Sequence, residues 1–116
     1  MYVEKEVIFL KADVAKYQRL MGSGKKTEIM PPMMPALAYQ QLEIPWKYDP
    51  PVILRTQVTN MLAPLQAERA YIAKLEIEDI KNYGSETLIK ERLTLQSAEG
   101  VKHFDSISKL IIGGIR

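Results

Sequence analysis

The spacing of apolar side chains runs from two, through three and four, and back to two along this chain. Tyr2-Val-Glu-Lys-Glu-Val-Ile-Phe-Leu10 alternates imperfectly and is rich in β-branched and aromatic residues, the pattern of a strand. From Ala12 to Leu20 the period lengthens, with Val14, Tyr17 and Met21 falling on one face. Asp13 sits near the start, where a carboxylate favours the helix dipole, and Gly22 is placed to end a short amphipathic helix. Gly22-Ser-Gly-Lys-Lys-Thr27 reads as a polar loop, and Pro31-Pro32-Met-Met-Pro35 stiffens the chain beyond it. Pro35 suits the first turn of a helix, where its missing N–H costs nothing. Ala36 to Leu42, carrying Leu37 and Ala38, continues that helix as a largely buried one as far as Pro45.

From residue 52 the period is two. Tyr71, Ala73, Leu75 and Ile77 alternate with Lys74, Glu76 and Glu78, so one face meets a core and the other meets water. Asn82-Tyr-Gly84 and Ala98-Glu-Gly100 are turn signals at hairpin spacing, and a last strand from Val101 to Ile112 ends before Gly113-Gly114. Strand, helix and strand meander in that order predict an α+β protein. Its five-stranded antiparallel sheet wraps around a central helix drawn from the segment after Pro35.

At 116 residues and 47% hydrophobic, residues 1–116 are expected to form a single domain around one core. No apolar run approaches the roughly 20 residues of a membrane span, and the first residues carry charges where a signal peptide is apolar, which predicts a cytoplasmic protein without a membrane partner. The chain has no cysteine and a single histidine, so disulfides, thiol chemistry and a histidine-based metal site are not expected. A net charge of +2, with basic and acidic residues interleaved, gives no reason to expect nucleic acid.

Two residues could carry proton transfer. His103 is the one residue of a type whose unperturbed value lies near neutrality, so it is a candidate general base, but alternation sets it opposite Phe104, as expected of a surface strand histidine. Glu91 is placed by strict alternation with Ile89, Leu93 and Leu95 on the apolar face, where a carboxylate can become a general base. The alternative is that a bulge carries it to an edge, or that Lys90 or Arg92 pairs with it. Gly22-Ser-Gly-Lys-Lys-Thr is not a nucleotide-hydrolysis loop. That pattern requires glycine where Arg19 stands and serine or threonine where Lys26 stands.

The first strand and helix, Tyr17-x-x-x-x-Gly22, the prolines before a buried helix, Gln57 with Pro64 seven residues on, and a terminal meander turning at Gly84 and Gly100 resemble the hotdog fold. More narrowly, they resemble the MaoC-like (R)-specific enoyl hydratases and 3-hydroxyacyl-thioester dehydratases, including their non-catalytic halves. In active members the first helix leads into a motif of the form Gly-Asp-x-Asn-Pro-x-His, whose Asp and His hold the water that adds to a thioester-conjugated double bond. Here Ser23 stands at the aspartate position and Glu28 at the histidine position. An unassisted serine hydroxyl is no base near neutral pH and a loop glutamate is a weak one.

The resemblance implies an acyl-CoA or acyl-carrier-protein thioester as ligand, with no other cofactor. It also implies a homodimer, or a heterodimer with a catalytic hotdog subunit. Met30, Met33, Met34, Leu37 and Tyr39 would line the acyl chain, since soft unbranched side chains suit a tunnel, although methionine is also ordinary core filler. Lys25 and Lys26 would meet phosphates of coenzyme A or of a carrier's phosphopantetheine unless the loop is simply solvated. Gln57 and Asn60 would hydrogen-bond the thioester carbonyl or pantetheine amides unless they face water. The expected function is the substrate-holding, non-catalytic subunit of a heteromeric enoyl-thioester hydratase or 3-hydroxyacyl dehydratase. The alternatives are an acyl-CoA thioesterase using Glu91 or Glu28, and a ligand-binding or structural hotdog protein.

Overall fold

A computed structural model of the chain describes residues 1–20, 38–39 and 41–116. They form β1 (Tyr2–Ile8), α1 (Lys11–Leu20), β2 (Tyr48–Met61), β3 (Ala70–Tyr83), β4 (Glu86–Gln96) and β5 (Lys102–Ile115). The strands make one five-stranded sheet in the order β1-β3-β4-β5-β2, every neighbouring pair antiparallel. That is the sheet expected from the period-two runs.

Local chemistry explains the joins. The β3–β4 hairpin pairs Tyr83 with Glu86 across Gly84-Ser85, and Gly84 takes a φ of 63°, the left-handed value that a two-residue turn of this kind needs at its first central position. α1 is anchored at its start by Glu68, which accepts from the Lys11 N–H at 2.7 Å and donates its own N–H to the Phe9 carbonyl at 2.8 Å. Glu68 is itself held at a φ of 63°, so two long-range bonds fix a conformation that a non-glycine residue seldom adopts.

Three boundaries differ from the sequence reading. Ala38, Tyr39 and Gln41 form a short 3₁₀ turn closed by Leu42 N–H to the Tyr39 carbonyl at 3.2 Å, and the turn stops there instead of running to Pro45. The earlier part of the expected central helix lies outside the described residues. β2 starts at Tyr48 and passes through Pro50-Pro51, which an edge strand tolerates because one side of it donates nothing to a ladder. β5 continues through Gly113-Gly114 to Ile115, because those glycines let the end of β5 run close beside the start of β2.

The core lies on one face of the sheet. Val7, Ala73, Leu75, Ile89, Leu93, Leu95, Phe104 and Ile112 are buried there, together with Val14 of α1 and Ala38, Leu42, Trp46 and Leu65 from the connections. Each such large side chain taken fully out of water contributes about 1.5–3 kcal/mol. The opposite face carries charges, among them Glu78 with Lys90 at 3.8 Å and with Arg92 at 3.4 Å.

The two edges of the sheet differ. At the β1 edge the Gln41 side chain accepts from the Ile8 N–H and donates to the Ile8 carbonyl at 3.2 and 3.1 Å. At the other edge β2 has no further strand beside it among the described residues, and residues 50–58 are exposed without interruption.

Candidate functional site

Alternation along β4 places Thr87, Ile89, Glu91, Leu93 and Leu95 on the core face, and all of them are buried. Glu91 is therefore a carboxylate inside the core, 5% exposed. A bulge does lie nearby, between Ile77 and Asp79, but it is in β3, and its extra residue Glu78 joins Lys90 and Arg92 on the outer face. Neither cation reaches Glu91.

Two phenols reach it instead. The Tyr39 hydroxyl donates to Glu91 Oε1 at 2.9 Å, and the Tyr48 hydroxyl donates to Oε2. Burial, reinforced by the adjacent carboxylate, pushes both tyrosines well above their ordinary value, so each stays a proton donor. The neighbouring Trp46 side chain opposes that shift at Tyr48 in part. The carboxylate thus links the middle of β4 to the 3₁₀ turn and to the first residue of β2.

A polar row starts from this carboxylate and crosses the sheet. Glu91 pairs in register with Ser108 of β5, and Ser108 pairs with Gln57 of β2, whose amide Nε2 donates to the Ser108 hydroxyl at 3.3 Å. One step along, Leu93 pairs with Ser106 and Ser106 with Thr59, their hydroxyls 3.4 Å apart. Ser106 and Ser108 are 4% and 6% exposed on a face otherwise built from Phe104, Leu110 and Ile112, whereas Gln57 is exposed at the free edge. Both hydrogen bonds are long and weak.

Of the residues singled out from sequence, the structure brings together Glu91, Tyr39 and Gln57. Asn60 pairs in register with Asp105 on the outer face, so it is separated from Gln57 by the thickness of the sheet. His103 faces away from Phe104 as expected, but it is fixed instead of free. Its Nδ1 is 2.8 Å from the Pro64 carbonyl and its ring meets Tyr71 edge-on at 5.2 Å. It lines a cleft of ≈ 240 Å³ with Arg69, Ser97 and Glu99 at the end of the sheet, five positions along β5 from Ser108, roughly 17 Å at strand rise. Ser23, Lys25, Lys26, Glu28, Met30, Met33, Met34 and Leu37 lie outside the described residues. Sequence reading missed Tyr48, Thr59, Ser106 and Ser108. The two serines were findable, because they continue the alternation of Phe104, Leu110 and Ile112.

No sequence-family profile and no curated protein matches the chain. Solved structures do. A chain of the HadBC 3R-hydroxyacyl-ACP dehydratase complex of Mycobacterium tuberculosis superposes with a TM-score of 0.69 at 11% identity, over 96% of this chain and 94% of that one. The (R)-hydratase of A. caviae involved in PHA biosynthesis gives 0.69 at 14% identity, over 95% and 92%. HtdX of M. tuberculosis gives 0.75 at 14% identity, over 96% of this chain but 50% of its own length. The chain has the hotdog fold. Its similarity is to MaoC-like hydratase and dehydratase structures, and in this hotdog sheet Glu91 and the serine row face the interior, while β2 has no further strand beside it among the described residues.

Proposed function

We propose that this hotdog protein binds an acyl thioester of coenzyme A or an acyl carrier protein along the Glu91–Ser108–Gln57 row. In this reading it is the substrate-holding, non-catalytic subunit of a heteromeric enoyl-thioester hydratase or 3-hydroxyacyl dehydratase. One observation carries the non-catalytic half: the chain's single histidine is tied to the Pro64 carbonyl at the end of the sheet, remote from the row. The four aspartates are also accounted for. Asp13 is in the first turn of α1, Asp49 bonds Arg116, Asp79 pairs with Lys81 and Asp105 with Arg92. These placements support a reading in which no Asp/His pair stands in the row, and a partner supplies the base that deprotonates water and the acid that protonates the neighbouring carbon.

The binding half rests on the row itself. Buried hydroxyls and a glutamine on a core face, with an apolar strand edge beside them, match an arm with two amides and a thioester carbonyl joined to a hydrocarbon chain. The pairing surface in this reading is β2, where Val52, Ile53, Leu54 and Val58 are each more than half exposed. Equilibrium titration with acyl-CoA tests it. Binding is expected for wild type and weakened several-fold in Ser108→Ala and Gln57→Ala; acyl-CoA binding untouched by either change refutes the assigned row.

Glu91 favours one second reading, an acyl-thioester hydrolase, because its carboxylate is on the face that would meet the thioester. To act as base it would first have to release a tyrosine. Free thiol released from acyl-CoA and abolished by Glu91→Gln is the result that selects hydrolysis; Glu28, the other residue of that reading, lies outside the described residues.

A further inference from the structure

Glu91 is the one charged side chain buried among the described residues, where the other buried polar groups are the hydroxyls of Thr87, Ser106 and Ser108. Both of its oxygens accept from phenols, Tyr39 at 2.9 Å and Tyr48, an arrangement that satisfies a carboxylate without neutralising it. Among the described residues no cation does so. Lys90 and Arg92, its neighbours in β4, turn to Glu78 on the outer face, and His103 is bonded to the Pro64 carbonyl at the end of the sheet. The middle of the core face therefore carries a negative charge that no positive one cancels.

That charge lies beside the serine row. Ser108 is the register partner of Glu91, and directly opposed residues on one face have Cβ atoms about 4.5–5.5 Å apart. A ligand oxygen that takes a hydrogen bond from Ser108 thus lies within roughly 7 Å of the carboxylate. What the oxygen belongs to then decides whether it can stay. A thioester or amide carbonyl is neutral and meets no repulsion. The carboxylate of a free fatty acid sets a second negative charge on a face from which water is largely excluded, whereas sites for acids are built around Arg or Lys.

We infer that Glu91 is the specificity-determining residue of the row, a fixed negative charge that admits the neutral carbonyl of an acyl thioester and turns away the free acid of the same chain. This rests on the thioester-binding reading above and adds the feature that selects the ligand class. Tyr39 and Tyr48 act through Glu91 as positioning residues, each holding one carboxylate oxygen.

Competition binding on the intact chain tests the inference. Octanoyl-CoA is bound first, and octanamide and octanoate, alike in size and different in charge, are compared near neutral pH as displacing ligands. The amide is expected to displace at a concentration at least about tenfold lower than the acid, the scale of a like-charge contact at roughly 7 Å and an effective dielectric constant of about 20. Glu91→Gln should bring the two within about threefold of each other, since the opposing charge is gone. A merely structural Glu91 would change both affinities together and leave their ratio alone. Because Glu91→Gln also disturbs the two phenols, a second variant, Glu91→Leu with Tyr39→Phe and Tyr48→Phe, removes the carboxylate and its donors together and leaves no buried group unpaired. It should lose the discrimination likewise, whereas Tyr39→Phe alone keeps the charge and should keep the discrimination. Equal displacement by both ligands in wild type, displacement by neither, or a preference for the amide that survives removal of the carboxylate overturns the inference. Octanoyl-CoA that binds while octanoate competes as well as octanamide removes this inference alone. Octanoyl-CoA that does not bind at all removes the thioester reading on which it rests.

Discussion

The Tyr39 hydroxyl donates to Glu91 Oε1 at 2.9 Å, joining positions 52 residues apart across the core. With Tyr48 on the second oxygen, this bond gives a buried carboxylate two charge-assisted partners, without which it would be strongly unfavourable inside an apolar face. Tyr39, Glu91 and Tyr48 therefore hold three segments of chain in a fixed relation above the serine row.

Glu91→Gln places an amide N–H₂ where one phenol needs an acceptor. Urea denaturation is expected to show a loss of about 2–3 kcal/mol, with a smaller loss of about 1.5 kcal/mol for Tyr39→Phe, which leaves one donor on the carboxylate. A Glu91→Gln protein as stable as wild type contradicts the clamp.

The same pair sets an alkaline limit. Both tyrosines ionise above their ordinary value of 10.0 in the folded protein, because of burial first and of Glu91 second. Below pH 10 both phenols are protonated in the folded and unfolded states, and their contribution to stability is fully present. Above it the unfolded chain ionises while the folded one does not, so stability falls as pH rises towards the folded values. Denaturation midpoints measured from pH 8 upward should decline beyond pH 10, and Tyr39→Phe should flatten that decline.

Gly113 lies where β5 meets the start of β2, and an added Cβ would collide with the Pro50 carbonyl oxygen. Gly114 is more tolerant, because its Cβ would be 3.2 Å from the Asp49 side chain, which can swing away. Thermal unfolding should show Gly113→Ala destabilised by about 2 kcal/mol or more and Gly114→Ala by well under half of that.

His103 and the row are expected to behave independently. His103→Ala removes the bond to Pro64 and the edge contact with Tyr71, at about 1 kcal/mol of stability, and leaves acyl-CoA affinity unchanged. Loss of binding in this variant would place His103 in the ligand site.

The sheet was legible because its strands alternate cleanly. Tyr71 to Ile77 and Ile89 to Leu95 show period two in sequence and burial in space, and Gly84 and Gly100 mark turns that need positive φ. Alternation was also sufficient to put Glu91 inside. The phenols that hold it were not legible, since Tyr39 and Tyr48 reach it through tertiary contacts over 52 and 43 positions. The face of Asn60 depended on a register counted from β5, and the continuation of β5 through Gly113-Gly114 on a close backbone approach that two glycines alone do not announce.

Hydration of crotonyl-CoA, followed by loss of the conjugated thioester absorbance, tests the central claim most directly. It is to be measured with the purified chain alone and then mixed with a hotdog protein that carries an intact Asp-x-Asn-Pro-x-His motif. The account predicts no turnover by the chain alone and, in the mixture, turnover above that of the partner by itself. Turnover by the chain alone would contradict it, whether or not it survives His103→Ala and Glu91→Gln.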